Sequence, residues 1–345
     1  MEHWDQATIE AFRATLLTWY DQAGRKHLPW RQDQAPYRVM VSEIMLQQTQ
    51  VETVIPYFNR FMAALPTVEA LANAPEAQVL KLWEGLGYYS RARNLQKAAK
   101  YVVEQLDNQW PRTSATLQAL PGIGPYTAAA ISSISFGEVV PAIDGNQYRV
   151  FSRLLKIDAD IAQAKSRQIF YDAIAPIVDP KRPGDFNQAI MDLGTSYMTA
   201  KNPDTINSPV RQFNAAYRDH VEANYPVKTP KAKPVKQLFV AEVIENEGRL
   251  LMAKRPATGL LADFWTFPLQ EISTIEAIAG EQLTIKPVVH VFTHRRWEIW
   301  LVRRQQRGLQ ANEKMMSRDE LQALSLPKVQ HKLMDVLDSL DLDAN

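Results

Sequence analysis

Three short stretches of the chain combine residue types and spacings that could do chemistry. The first is Leu120-Pro121-Gly122-Ile123-Gly124-Pro125-Tyr126-Thr127, followed by an alanine-rich segment with helical character. Two glycines around an isoleucine, just before a helix start, let the backbone approach a phosphate and aim free amide N–H groups at it. The same pattern also fits a plain tight turn between helices. The second stretch is Ala142-Ile143-Asp144-Gly145-Asn146, where one acid stands 20 residues past Gly124 in apolar surroundings. Asp144 fits an N-cap for a helix over Asn146–Leu155, a catalytic carboxylate, or both at once. In the third, Val41-Ser42-Glu43-Ile44, Glu43 borders an apolar helical stripe. It reads either as a surface helix glutamate or as an acid kept protonated near neutrality by desolvation.

These residues must be positioned by the elements around them. From Thr8 to His220 apolar residues recur three and four apart, the signature of packed helices. Between Tyr37 and Leu65, for example, Ile44, Val51, Ile55, Phe58 and Met62 fall on one stripe. Residues 223–237 carry Pro226, Lys228, Pro230, Lys231, Lys233, Pro234 and Lys236, a basic, proline-punctuated stretch that reads as a linker. Beyond it, Leu238–Ile244, Leu250–Ala253, Val288–Thr293 and Trp297–Val302 read as strands, and Thr274–Gly280 and Arg318–Leu340 as helices.

Composition narrows the function classes. The 345 residues contain no cysteine, which removes disulfides, thiolate zinc sites and thiolate-held iron–sulfur clusters. With 39 Lys and Arg against 38 Asp and Glu, bulk charge does not announce a nucleic-acid binder, so any DNA contact must be local. No apolar run approaches the roughly 20 residues of a membrane helix. The start Met1-Glu2-His3-Trp4-Asp5 lacks a signal-peptide layout, giving the expectation of a cytoplasmic, bacterial-type protein without membrane contact.

The Leu-Pro-Gly-x-Gly hairpin followed at this distance by Asp144 resembles the helix-hairpin-helix glycosylase superfamily. Within it, Val41–Val51, Gly85–Leu95 and Phe186–Gly194 are similar to the motifs of the MutY-type adenine glycosylases, over almost the whole first domain. The resemblance implies a mostly α N-terminal glycosylase domain of two helical lobes (1–222), the linker (223–237) and a C-terminal α+β Nudix-like domain (238–345). It implies base-excision repair on double-stranded DNA holding adenine opposite 8-oxoguanine or guanine; a monomer is expected, although the sequence itself is silent on oligomeric state.

By the same resemblance, Glu43 is the general acid to a ring nitrogen of adenine, and Asp144 stabilises the sugar cation or bonds it transiently. Tyr126 and Asn146 assist. Adenine is a poor leaving group as an anion, so the chemistry independently calls for one protonated and one ionised carboxyl. Arg25, Leu28, Trp30, Arg31 and Gln188 would line the adenine pocket. A base must leave the stack before it can be cut. Gln48 and Tyr88 suit the hole left behind, and Thr49, Leu86, Gly122 and Gly124 would also face the DNA. Arg91 and Arg93 read as phosphate contacts or solvated helix charges. Related enzymes that also cut the strand carry a lysine at the hairpin position where this chain has Tyr126, so the implied enzyme is monofunctional and leaves an abasic site.

Two departures from the family stand out. Its iron–sulfur ligands correspond here to Met198, Thr205, Ser208 and Asn214, none a thiolate. The chain is thus identified as a clusterless member, its loop packed instead by Tyr197, Val210, Phe213 and Tyr217. No cofactor is expected, beyond a structural cation that the hairpin carbonyls could hold. The Nudix-like part lacks a glutamate-rich run after Gly259, which argues against hydrolysis there. Phe292-Thr293-His294 resembles the family's 8-oxoguanine-reading loop, with threonine where many relatives have serine. Two other readings compete: a lesion binder without catalysis, and a Nudix pyrophosphatase with a helical appendage.

Overall fold

Prolines and capping side chains set where most helices begin. A computed structural model describes residues 1–230 and 232–342, so Lys231 of the basic stretch and the last three residues lie outside the described residues. The helices before the linker are α1 (Gln6–Ala23), α2 (Pro36–Leu46), α3 (Val51–Ala64), α4 (Val68–Asn73), α5 (Glu76–Trp83), α6 (Ser90–Glu104), α7 (Ser114–Leu117), α8 (Pro125–Phe136), α9 (Gly145–Leu154), α10 (Ser166–Ile174), α11 (Pro183–Ser196) and α12 (Ala215–Arg218). Asp5 caps α1 by accepting from Thr8 N, and Pro36, Pro125 and Pro183 occupy first turns, where a missing N–H costs nothing. α8 ends at Gly137 in the left-handed region (φ 73°).

The chain forms two compact units that do not follow sequence order. Met1–Ala74 and Ser90–Pro230 make the first; Pro75–Tyr89, containing α5, joins the second with the chain from Lys231 onward. In the first unit α1, α9, α10 and α11 enclose Phe12, Leu16, Phe151, Phe170, Phe186, Ile190 and Leu193.

The second unit holds β1 (Val235–Val243), β2 (Glu245–Asn246), β3 (Arg249–Lys254), β4 (Trp265–Thr266), β5 (Leu269–Ile272), β6 (Val288–Val291), β7 (Arg295–Arg303), β8 (Glu313–Ser317), α13 (Arg318–Ala323) and α14 (Lys328–Leu342). One sheet has the order β5-β1-β7-β6, with β1 and β7 parallel; the other is β2-β3-β4, with β8 also pairing β3. Phe239, Met252, Phe267, Trp297, Ile299 and Leu333 fill the core.

Several expectations need correction. The 37–65 stripe is two helices broken at Gln47–Gln50, and the buried face of α3 is Val54, Phe58, Phe61 and Met62 rather than Val51 and Ile55. The strand expected at Leu238 starts at Val235. The stretch before it is tied down, with Ile161 N donating to Val227 O (3.0 Å) and Thr229 bonding Asp160. Thr274–Gly280 contains only a short 3-10 turn, Ile275–Ile278, and Arg318–Leu340 is split into α13 and α14 around Pro327.

Candidate active site

α2 delivers Glu43, which is buried (6% exposed) because its neighbours Met40, Val41, Ile44 and Met45 pack inward. α8 begins at Pro125 directly after the hairpin, so Tyr126 projects from its first turn and donates to Glu43 Oε2 at 2.5 Å. Asp144 caps α9: Oδ1 accepts from Asn146 N (2.9 Å) and Gln147 N (2.8 Å), and Oδ2 accepts from Asn146 Nδ2 (2.7 Å). The capping and catalytic readings of Asp144 therefore concern the same carboxylate. All three residues open onto one cavity of about 710 Å³, lined also by Arg25, Leu28, Trp30, Arg31, Gln48, Thr49, Asn146, Gln188 and Met191. That volume lies within the usual range for a small-ligand site.

Burial governs the proton affinities. It pushes the Glu43 carboxyl up to about 7; the hydrogen bond from Tyr126 opposes this, the charge of Asp144 adds to it, and Arg31 opposes it. Burial likewise raises Tyr126 well above the usual phenol range, so it is a hydrogen-bond donor at neutral pH. Asp144 was expected to stay an anion through its helix-terminal bonds. Those bonds are present, yet burial outweighs them and moves its carboxyl above the ordinary aspartate value.

A frame of buried polar residues holds this site, and sequence reasoning missed it. Asp192 accepts from Arg25 N and Nε and from both terminal nitrogens of Arg31 (2.7 and 3.0 Å). Burial works against its charge, but the two arginines prevail and hold its carboxyl below the ordinary range. Tyr20 Oη donates to Gln188 Oε1 (3.0 Å), leaving the Gln188 amide nitrogen to other partners. Asn187 Oδ1 accepts from Ala142 N and Gln147 Nε2, steadying both flanks of Asp144. Arg149 donates to Asn146 Oδ1 (2.6 Å), Gly194 O (3.0 Å) and Met198 O (2.9 Å). The available signals were helical spacings: Asp192 follows Gln188 by four and Arg149 follows Asn146 by three, each placing a charge on the face of a named residue.

The hairpin bears out the need for glycine unevenly. Gly122 is left-handed (φ 77°), whereas Gly124 is extended and has nothing within 4 Å of where a Cβ would stand, leaving its backbone open to approach. Arg91 is not a solvated charge: it is buried and donates to Ile44 O, Met45 O and Gln47 O, closing the C-terminus of α2.

The remaining candidates lie in the second unit. Leu86 is buried and Tyr88 is half exposed with φ 47°. Thr293 and His294 are exposed at the tight turn between β6 and β7, while Phe292 packs edge-on to Trp297 (4.8 Å) and His290 (4.6 Å). Tyr88 Oη lies 3.4 Å from Thr293 Oγ1.

An iron–sulfur cluster does not fit the donors present. Met198, Thr205, Ser208 and Asn214 are all buried, but they offer a thioether, two hydroxyls and an amide, with no thiolate in the chain. Asn214 instead caps α12. Val210 is in the core, and Tyr197 and Phe213 pack against it, with Phe213 edge-on to Phe12 at 5.4 Å; Tyr217 faces His220 rather than joining them. Among the described residues no group of three or more His, Asp or Glu could hold a metal ion, and no helix is long and apolar enough to cross a membrane.

Comparison with known proteins agrees with this geometry. Residues 41–176 match the HhH-GPD superfamily of base excision DNA repair proteins, and residues 239–336 match the NUDIX domain. The adenine DNA glycosylase of Mus musculus is 37% identical over 361 residues, covering 84% of this chain and 70% of that protein. That of Homo sapiens is 39% identical over 319 residues, covering 76% and 58%. The enzyme of Buchnera aphidicola subsp. Schizaphis graminum is 34% identical over 296 residues, covering 83% and 85%. Among solved structures, a thermostable thymine-DNA glycosylase shares the fold at a TM-score of 0.54 and 23% identity, covering 61% of this chain and 97% of that one. With its two paired domains and relatives that match along most of its length, the chain belongs to the adenine DNA glycosylase family, as a member without cluster-binding cysteines.

Proposed function

We propose that the chain is a monofunctional glycosylase that acts as a monomer, without a bound cofactor, on duplex DNA and removes adenine mispaired with 8-oxoguanine or guanine. The observation that carries the reading is the unequal treatment of two carboxyls in one cavity. Burial raises both, but Glu43 accepts one hydrogen bond, from a phenol, and is pushed up to about 7, whereas Asp144 accepts three, each of which opposes the rise and favours its ionised form.

Glu43 gives its proton to a ring nitrogen of the flipped adenine while Tyr126 holds the other oxygen. The bond between the sugar C1′ and N9 breaks, and its electron pair leaves with the base. Asp144 faces the positive charge left on the sugar, stabilising it or bonding it transiently. Water adds to C1′ and its proton returns to the Glu43 carboxylate, giving an abasic site. A phenol in place of an amine at Tyr126 removes the Schiff-base route to strand cleavage. In the second unit Thr293 keeps a hydroxyl for the oxidised purine, and Tyr88 is the wedge.

Adenine release from an A:8-oxoguanine duplex, with Glu43→Gln and Asp144→Asn beside the wild type, tests the assignment. Each variant is expected to lose on the order of 10²–10⁴ in single-turnover rate while still binding the duplex. Full activity in both would overturn it, and a wild type that binds without releasing adenine would show a lesion binder instead.

A further inference from the structure

Tyr88 sits on a segment that the chain order assigns to the helical part but the fold assigns to the second unit. The turn that carries it is conformationally demanding: Gly85 (φ 98°), Gly87 (φ 71°) and Tyr88 (φ 47°) are all left-handed. Tyrosine tolerates that region poorly, so something outside the turn must hold it.

The holding contacts converge on residues 322–331. Lys81 Nζ donates to Gln322 O (2.9 Å) and Leu324 O (3.1 Å), the carbonyls left open where α13 ends. Ser325 Oγ donates to Leu80 O (3.1 Å). Glu84 stands at the centre. One of its oxygens accepts from Leu326 N (2.9 Å) and lies 3.1 Å from His331 Nε2, and the other pairs with Lys81 at 2.7 Å. Its side chain is only 18% exposed, so these bonds are partly shielded from water. On the far side of the turn Tyr89 Oη donates to Leu326 O (3.0 Å) and its ring lies 4.4 Å from that of Phe264. Leu326 is therefore gripped through both its N–H and its C=O by residues flanking Tyr88. At the tip, Tyr88 reaches Thr293.

We propose that Glu84 fastens the Tyr88 turn to the 322–331 segment, so that the wedge and the lesion-reading loop form a single reading head and Glu84 is a positioning residue for discrimination of the base opposite the excised adenine. This rests on the reading of Tyr88 and Thr293 given above. A wedge fixed to the lesion loop enters the stack only where Thr293 also finds its partner. A wedge released from that loop enters at any mispair.

The test uses the full chain with Glu84→Ala, Glu84→Gln and Thr293→Val. It combines single-turnover excision from A:8-oxoguanine and A:G duplexes with amide hydrogen exchange over residues 84–89. Glu84→Ala is expected to lower the ratio of the two rates about tenfold and to speed exchange in the turn at least tenfold. Glu84→Gln keeps an acceptor for Leu326 N and is expected to retain most of both, which guards against a simple folding defect. Combined with Thr293→Val, the loss of discrimination should not add, because both changes break one head; independent structural damage adds. Unchanged exchange, an unchanged ratio, or additive losses would each overturn the proposal. A wild type with equal rates on the two duplexes would overturn the lesion-reading assignment itself, and the reading head with it.

Discussion

A general acid, the role proposed for Glu43, works only while it holds its proton, and burial pushes the Glu43 carboxyl up to about 7. The single-turnover rate is therefore expected to fall tenfold per pH unit above pH 7, a limb absent from any residual activity of Glu43→Gln, and to fall again at acid pH as Asp144 takes up a proton. The Glu43 shift also acts on stability with a definite sign. Because the folded-state value lies above that of the unfolded chain, the folded state is favoured when the group is protonated. That advantage is lost as pH rises from the ordinary glutamate range through about 7. Above pH 7 burial of Glu43 costs about 3 kcal/mol, so Glu43→Gln should melt higher than the wild type there and equally at pH 4. Asp192 carries the opposite sign, since its arginine partners hold it ionised. Asp192→Asn leaves Arg31, whose side chain is 7% exposed, without its counter-charge and should cost about 3–5 kcal/mol in denaturant unfolding. A loss under 1 kcal/mol would show that Arg31 finds another partner. Glu43, Tyr126 and Asp144 were legible because their motifs place them; Asp192, Tyr20 and Arg149 were not, because their work depends on partners up to about 170 residues away in sequence.

At the scale of elements, α9 and α11 meet through a glycine. A Cβ on Gly194 would stand 2.8 Å from Asn146 Cβ and 2.9 Å from Oδ1, so the close approach of α11 is what lets Asn146 turn its amide toward Asp144. Gly194→Ala is expected to slow excision about 100-fold by displacing that amide. It should also cost stability, because the added methyl meets Asn146 Cβ, which the α9 backbone fixes, and the up to about 1 kcal/mol of helix propensity that alanine recovers does not relieve that contact. Unaltered excision kinetics would mean that Asn146 does not orient Asp144. The helices themselves were mostly legible from periodicity and proline positions. The break between α2 and α3 was not, for a geometric reason: the four residues Gln47–Gln50 amount to slightly more than one helical turn, so the apolar pattern resumes almost in phase on the other side. That break puts Gln48 in the left-handed region (φ 56°) and on the cavity wall, next to Gln47, whose carbonyl accepts from Arg91.

For the whole molecule, the two-domain plan was legible as a change of pattern at the basic stretch, but the membership of residues 75–89 was not. Nothing in a helical period says which unit a helix packs with, and the contacts that decide it lie some 240 residues further along the chain. Net charge is +1, so DNA affinity must come from local contacts whose number salt can count. The lysines of the basic stretch are not equivalent in this respect. Lys236 lies on β1 and pairs with Glu298 at 2.8 Å, whereas Lys228 and Lys233 are exposed in the strand-free part. If the latter two each neutralise a phosphate, Lys228→Gln and Lys233→Gln should each lower the slope of log affinity against log salt by about 0.9. Lys236→Gln should leave the slope unchanged and cost less than about 1 kcal/mol of stability, as for a mostly exposed ion pair. Titration of a fluorescent duplex between low and physiological salt separates the three variants. A slope unmoved by Lys228→Gln and Lys233→Gln together would place all phosphate contacts elsewhere, with the open backbone of Gly124 and the first turn of α8 as the site left to examine.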